Sequence, residues 1–505
     1  MNPLHGLVDL GSWAQHHREL VIGACLGLPL LAAGASLLTR RRAQSADTHG
    51  SARWSRYGEI TRSGLSLTHG VVVGTMKGQT FYDDGPTHTF LMGPTRSTKG
   101  VCHIQPTLRT WRHSALILDP KDGENYTQTH ATRAQFGAVE VFAPYGSPRA
   151  CINVVDAVRW GTLHEVGDVE TIAESATAPH KLGTSMAASN DTAQHFRDLA
   201  SWIMQAALLH LGYAPLPGMQ RFHPSLPCLL AFLTQYHTNL ASCLRLMRTT
   251  RHVAGGVHPA VAQLVTMILN IASEKEMSGL WTTALRPLKV YLNPLVARST
   301  MTSTLSLLDL QLGAKPLSLY LLAPSPRALS RLYPVYRVII DMAMARLMGR
   351  PITTPAHRLL FCAEELPAHG YYRSIDAGAG DMAGYGIKGL YVAQDLEQFE
   401  EVYGEKNTIW GNTETKIFHA PNNERTAERI SRYLLGDATL AHPVASRQDG
   451  PLGGGSVSYQ HVGRPLLTTD EVMSLDPSKV LVRRTGNKPM LLDKLGYDPT
   501  RREAA

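Results

Sequence analysis

Short apolar runs broken by glycine turns fill the stretch from Ser51 to about Pro148: Gly70-Val71-Val72-Val73-Gly74, residues 89–92, Ser114-Ala115-Leu116-Ile117-Leu118-Asp119 and Ala138-Val139-Glu140-Val141-Phe142. Unbroken apolar runs of this length suit strands buried on both faces. The segments between them, 99–111 and 126–136, have the length of crossover helices, so the alternation predicts a mostly parallel α/β sheet. The pattern changes between about Ala157 and Val290. Apolar residues there recur at helical spacing through Phe196, Leu199, Trp202, Ile203 and Ala206, and again through Val261, Leu264, Val265 and Ile268. This predicts an all-helical insertion with turns at Pro215-Leu216-Pro217-Gly218 and Gly255-Gly256. Strand texture resumes at 317–322, around Phe361, at 389–394 and at 415–418, so one sheet is built from two halves of the chain. Residues 450–456 predict a flexible glycine-rich loop, and the chain from Asp470 onward adds a short β element and a basic tail.

Residues 20–38 carry no charge. At about 1.5 Å per residue they nearly match a hydrocarbon core of about 30 Å, which predicts one transmembrane helix. Arg40, Arg41 and Arg42 follow it, against Arg18 and Glu19 before it, so the positive-inside bias places the long C-terminal part in the cytosol. The alternative is a cleaved signal peptide ending near Ala33-Gly34-Ala35, against which stand a long, weakly basic leading segment and the arginine cluster. With 505 residues, 44% of them apolar and 18% charged, the rest of the chain has room for at least two domains. The net charge of +8 suits an anionic partner, or simply a solvated surface. Cys25, Cys102, Cys151, Cys228, Cys243 and Cys362 show no C-x-x-C spacing, which points to a reducing compartment and away from a cysteine metal site.

Two of the predicted strands end in residues able to work on a polyphosphate. The run ending at Met92 leads into Gly93-Pro94-Thr95-Arg96-Ser97-Thr98-Lys99-Gly100, and the run ending at Ala363 leads into Glu364-Glu365. A strand that enters a turn of small residues at a helix start leaves backbone N–H groups free, and these with one lysine, Lys99, can wrap phosphates. A second strand ending in two carboxylates can hold Mg²⁺ with Glu364 and polarise an attacking water with Glu365. The octapeptide departs from G-x-x-x-x-G-K-[ST], with Thr98 at the second glycine and Gly100 at the hydroxyl position. A β-branched residue disfavours positive φ, and glycine offers no oxygen to a metal. A polar turn between a strand and a helix is the alternative for the octapeptide taken alone. Asp119-Pro120-Lys121-Asp122-Gly123-Glu124-Asn125 and Gln394 end further strands, and in a doubly wound sheet strand ends converge on one crevice.

Taken with Gly50-Ser51-Ala52-Arg53-Trp54, Leu118-Asp119-Pro120-Lys121, Ala363-Glu364-Glu365-Leu366-Pro367, Ala383-Gly384-Tyr385-Gly386-Ile387 and Gly463-Arg464-Pro465-Leu466-Leu467, these motifs resemble the TraG-type coupling proteins of type IV secretion and conjugation systems. The resemblance runs nearly end to end. It implies a RecA-like P-loop nucleotide-binding domain with an inserted all-α domain and an N-terminal transmembrane helix. It also implies a single-pass ATPase of the bacterial inner membrane, forming a homo-hexamer and using ATP and Mg²⁺. Its partners would be single-stranded DNA with bound relaxase, or protein effectors, and the inner-membrane components of the secretion channel.

Carried over, the resemblance gives Lys99 and the loop Gly93, Thr95, Arg96, Ser97, Thr98, Gly100 and Val101 to the phosphates, with the amides of 97–101 as donors. Glu364 takes the metal-associated place usually held by aspartate, Glu365 is the hydrolytic carboxylate and Gln394 senses the γ-phosphate. The arginine that acts across a ring interface has no assigned position, and nearby Lys388 lacks the guanidinium fork. Family members commonly have two membrane spans, whereas this chain shows one. The implied organisation is an anchor (1–42), a first half of the nucleotide-binding domain (43–156), an all-α substrate-recognition domain (157–290), a second half (291–480) and a basic tail (481–505). Arg245, Arg248, Arg251 and His252 are candidate nucleic-acid contacts in the helical part, or else a solvated helix face. The alternative to a motor is a docking receptor that binds nucleotide and effectors with little or no hydrolysis.

Overall fold

The structure is a computed structural model describing residues 50–146, 150–181, 191–214, 223–235, 239–271, 273–350, 355–446 and 456–498. The transmembrane helix expected at 20–38 lies outside these residues. Among the described residues no helix is long and apolar enough to cross a membrane.

Thirteen strands are described: β1 Val71–Met76, β2 Gln79–Asp83, β3 His88–Met92, β4 Ser114–Asp119, β5 Ala138–Phe142, β6 Leu317–Leu322, β7 Leu359–Ala363, β8 Ile387–Ala393, β9 Thr413–Phe418, β10 Asp437–Ser446, β11 Ser456–Pro465, β12 Lys479–Arg484 and β13 Met490–Asp493. Eleven form one sheet in the order β2-β1-β13-β12-β9-β3-β8-β7-β4-β6-β5. The seven from β9 to β5 pair in parallel, and the four at the other end pair antiparallel. Every residue of β3, β4, β7 and β8 is buried. That is why their sequences read as continuous apolar runs rather than alternating ones.

Helix α1 (Gln105–Thr110) follows β3 and α2 (Glu124–Arg133) follows β4. The turn Gly100–Ile104 that opens α1 is π-wound, with Gln105 N–H donating to Gly100 O. Pro106 has no N–H to return to Cys102, so the wider step fits the sequence. Between β5 and β6 the described elements are helical: α3 Glu165–Thr177, α4 Asp191–Tyr213, α5 Leu226–Gln235, α6 Leu240–Thr249, α7 Pro259–Ile271 and α8 Glu274–Leu285, with shorter helical turns after them. Ser273 and Glu276 close a capping box at the start of α8. Helix α9 (Pro326–Met348) returns the chain from β6 toward β7. Residues Ser431–Thr468, with the described end of Met1–Arg53, form a unit of their own in which β10 and β11 pair as a hairpin. The glycine-rich loop expected at 450–456 lies outside the described residues up to Ser456.

The antiparallel strands and the middle of the parallel strands are joined by a buried ionic network. Asp83 at the end of β2 lies 3.1 Å from Lys388 of β8 and 3.2 Å from Arg484 of β12, and it accepts a 2.7 Å hydrogen bond from Thr89 of β3. Asp83 and Lys388 are fully buried. Burial opposes the charge on Asp83, but Lys388, Thr89 and Arg484 outweigh it and hold its carboxyl below the usual range. Lys388 therefore has a structural partner inside the sheet and does not reach toward a neighbouring copy.

Removing one member of a buried charge pair leaves the other uncompensated. Asp83→Ala is therefore expected to lower stability by about 3–5 kcal/mol, read as a fall in the thermal unfolding midpoint. Because the folded Asp83 pKa is depressed, its contribution is present above the unfolded carboxylate pKa and is lost as pH falls through the folded value. A variant as stable as the parent at neutral pH would remove the network from the fold's energetics.

Candidate active site

Strand β3 enters the loop at Gly93, whose backbone leaves no room for a side chain. A Cβ there would lie 2.8 Å from both His419 Cβ and Ser97 Oγ. Arg96 and Thr98 adopt φ of 63° and 70°. Thr98 thus holds the left-handed conformation for which the sequence pattern expects glycine, and its hydroxyl turns back to donate to Ser97 O at 2.5 Å. The Ser97 hydroxyl is buried without a partner.

Lys99 is 5% exposed, and its ammonium donates to the carbonyls of its own loop, to Gly93 O and to Pro94 O at 2.9 Å. Burial pushes its pKa down to about 8, with Glu365 and Glu364 pulling the other way. A cation resting on backbone carbonyls gains ordinary hydrogen bonds where phosphate oxygens would supply charge-assisted ones.

The other predicted residues sit on adjacent strand ends, since β8 lies beside β3, β7 beside β8, and β4 beside β7. Gln394, just past β8, donates from Nε2 to Glu365 Oε2 at 2.7 Å and accepts from Thr95 Oγ1 at 3.1 Å. Glu365 itself has φ of 56°, which turns the chain sharply after β7. Glu364 is 1% exposed. Its Oε1 accepts from Lys121 at 2.8 Å and its Oε2 from Asn125 Nδ2. Lys121 also lies 4.0 Å from Glu365, and these carboxylates raise its pKa despite burial, which opposes them. Burial pushes Asp119 up to about 7, the donated Tyr126 N–H working against that rise. Asp119 Oδ1 and Asn125 Oδ1 remain buried and unpartnered.

Sequence reasoning missed the residues behind the loop. His419 Nδ1 donates to Ser97 O at 2.7 Å and Lys494 Nζ donates to the same oxygen at 3.0 Å. His103, beside His419 with ring centroids 5.1 Å apart, donates from Nδ1 to Val72 O. Burial drives His103 down to about 4 and holds His419 well below the usual imidazole range, so both are neutral near pH 7. A cavity of about 470 Å³ opens from the loop residues 94–98 past His419 and Asn422 to Leu475, Pro477 and Tyr497. It extends the phosphate loop with a partly apolar recess of the size that takes a small organic ligand.

The helical candidates divide. Arg245 and Arg248 are exposed on α6, whereas His252 is buried and paired with His210 at 2.8 Å. His252 is therefore not part of a solvated basic face.

A phosphate-loop turn on a mixed α/β sheet, with acids and a glutamine on the neighbouring strand ends, places the chain in the class of P-loop proteins. It belongs to the type IV secretory system conjugative DNA transfer family, whose model matches residues 49–498. Conjugal transfer protein TraG of Escherichia coli is 31% identical over 470 residues, covering 85% of this chain and 72% of the relative. Protein VirD4 of Agrobacterium fabrum is 25% identical, covering 89% of this chain and 66% of the relative. Among solved structures, the unbound bacterial conjugative coupling protein TrwB shares the fold with a TM-score of 0.65 at 16% identity, covering 90% of this chain and 98% of that one. A second TrwB structure, in complex with ADP and Mg²⁺, gives 0.64 at 15% identity, covering 88% and 93%.

Two outcomes follow from the loop. The affinity for ADP should fall by up to about tenfold per pH unit once pH exceeds the Lys99 value of about 8, because binding then takes up a proton. Calorimetry in buffers of different ionisation enthalpy counts that proton, and a flat profile would exclude Lys99 as the phosphate ligand. Thr98→Gly should stabilise the fold by about 1 kcal/mol by relieving the left-handed strain, measured by denaturant unfolding.

Proposed function

We propose that the chain is the inner-membrane ATPase coupling protein of a type IV secretion system, which receives a relaxase–DNA complex and drives it toward the secretion channel with energy from ATP. The observation that carries the hydrolytic part is the bridge from Thr95 through Gln394 to Glu365. It ties the phosphate loop to the candidate base across adjacent strands, so a γ-phosphate placed against the loop is sensed where the attacking water is held.

In this reading Lys99 and the amides of residues 97–101 bind the phosphates, with Gly93, Thr95, Arg96 and Thr98 shaping the loop around them. The recess leading to Tyr497 takes the nucleoside. Glu365 accepts the proton of the attacking water and Gln394 orients that water. Mg²⁺, when bound with the nucleotide, neutralises charge on the phosphates. The described residues hold no cluster of three or more His, Cys, Asp or Glu that would bind a metal unaided, which fits an ion carried in largely by phosphate and water. Glu364, which already accepts from Lys121 and Asn125, would be the carboxylate associated with the ion. The reading extends to a membrane anchor at 20–38, on the uncharged run and the arginines that follow it, and to a homo-hexameric ring. A docking receptor with slow turnover is the second reading, favoured by the strained Thr98 and by Gly100, which has no hydroxyl for the metal.

Steady-state ATP hydrolysis by the full chain, with and without single-stranded DNA, separates the two. The motor reading expects DNA-stimulated turnover, reduced by about 10²–10⁴ in Glu365→Gln and abolished in Lys99→Ala. Nucleotide binding without turnover would leave the docking receptor.

A further inference from the structure

A second cavity opens on the carboxyl rim of the same sheet, at its other end. It measures about 490 Å³ and is lined by Tyr145, Arg286, Lys289, Asn293, Arg331 and Pro334, among others. Tyr145 lies three residues past β5, the edge strand; Arg331 is in α9; Arg286 and Lys289 belong to the 3₁₀ turn Arg286–Leu292 that ends the helical insertion. Five strand steps separate β5 from β3 and three separate it from β7. At about 4.8 Å per step, the strands beneath the cleft lie roughly 24 Å from the phosphate-loop strand and roughly 14 Å from the strand bearing Glu365. The cleft is therefore distinct from the nucleotide site.

Its chemistry is one-sided. Among the described residues no carboxylate lines it. Arg286, Lys289 and Arg331 are exposed, and none of their side chains makes an ion pair or hydrogen bond to any described residue. Three unopposed cations converging on one recess create a positive potential that only an anionic ligand relieves. The recess also has apolar walls, from Pro287, Val290 and Pro334, and an aromatic ring, Tyr145, whose hydroxyl has no partner among the described residues. Cations for phosphates and a ring for stacking are the elements with which proteins hold single-stranded nucleic acid. The volume is that of a small-ligand pocket and suits one or two unpaired nucleotides rather than a base-paired helix.

We propose that this cleft is a contact site for single-stranded nucleic acid, with Arg286, Lys289 and Arg331 on consecutive phosphates and Tyr145 stacked on a base. The assignment of DNA as the ligand rests on the function proposed above. The location rests on the cleft alone. It sits where the helical insertion rejoins the sheet, so a strand held there touches both the segment that closes the insertion and the edge strand of the nucleotide-binding sheet.

The test is fluorescence anisotropy of a fluorescein-labelled oligothymidylate with the full chain, over a salt series. The triple variant R286A/K289A/R331A should lose at least tenfold in affinity. Its log–log salt slope should shrink by about 2, since each phosphate contact on a single strand contributes about 0.7. Tyr145→Ala should lose about tenfold with the slope unchanged, and Tyr145→Phe should retain binding. Binding of a fluorescent ADP, measured in parallel, should match the parent in every variant and so reports that the fold is intact. Parental affinity and slope in the triple variant would overturn the site while leaving DNA transfer as the function. If the triple variant instead loses only its binding to phosphatidylglycerol vesicles and keeps the oligonucleotide, the cleft serves a membrane surface and the proposal fails. A parent chain that holds no oligonucleotide at any salt would sink the DNA reading itself.

Discussion

Four central parallel strands, buried along their whole length, deliver the polar side chains that can meet a ligand at their carboxyl ends. Everything the site can do depends on that constraint. The central strands β3, β8, β7 and β4 contribute, at neighbouring carboxyl ends, the loop with Lys99, Gln394, the pair Glu364-Glu365 and Asp119 with Lys121. Residues up to about 300 apart in sequence, such as Thr95 and Gln394, come within hydrogen-bond distance because their strands are neighbours. A shift of one residue in register would send these side chains to the opposite face. Buried pairing such as Asp83 with Lys388 and Arg484 resists that shift while joining the antiparallel strands to the middle of the parallel ones.

Within the site, charge is arranged for a ligand that brings its own. Lys99 is buried against its own loop carbonyls, and Asp119, Asn125 and Ser97 each keep a buried oxygen without a partner. Such groups cost stability in the free protein. Phosphates and the waters around a metal would satisfy them, so the cost in the free state becomes a difference in favour of the bound one. Thr98 works in the other direction. Its left-handed backbone is held by neighbours that would tolerate glycine better, and the loop keeps its shape at the expense of strain.

The strands that line the site were legible because full burial writes itself as an uninterrupted apolar run. The runs at 89–92 and 114–119 fall in β3 and β4. Strand β2 was not legible, because Gln79-Thr80-Phe81-Tyr82-Asp83 is half polar and lies at a sheet edge. The hairpin β10–β11 was missed for the same reason, since its residues carry no sustained apolar pattern. Lys99, Glu364, Glu365 and Gln394 were expected from motif and strand end together, and the structure brings them to neighbouring strand ends. His419 and Lys494 could not, because they reach Ser97 from 322 and 397 residues away and nothing local marks them. His252 shows the opposite failure: a polar residue beside arginines reads as surface, yet a buried histidine partner draws it inward.

The central claim is that the rim formed by β3, β8 and β7 is a nucleotide site whose lysine is parked on its own loop until phosphate arrives. A crystal structure of the full chain with a non-hydrolysable ATP analogue and Mg²⁺ tests it most directly. The account predicts that Lys99 Nζ leaves the Gly93 and Pro94 carbonyls for the phosphates, with Gln394 and Glu365 facing the γ-phosphate. An analogue bound elsewhere, with Lys99 still on its loop carbonyls, would contradict it.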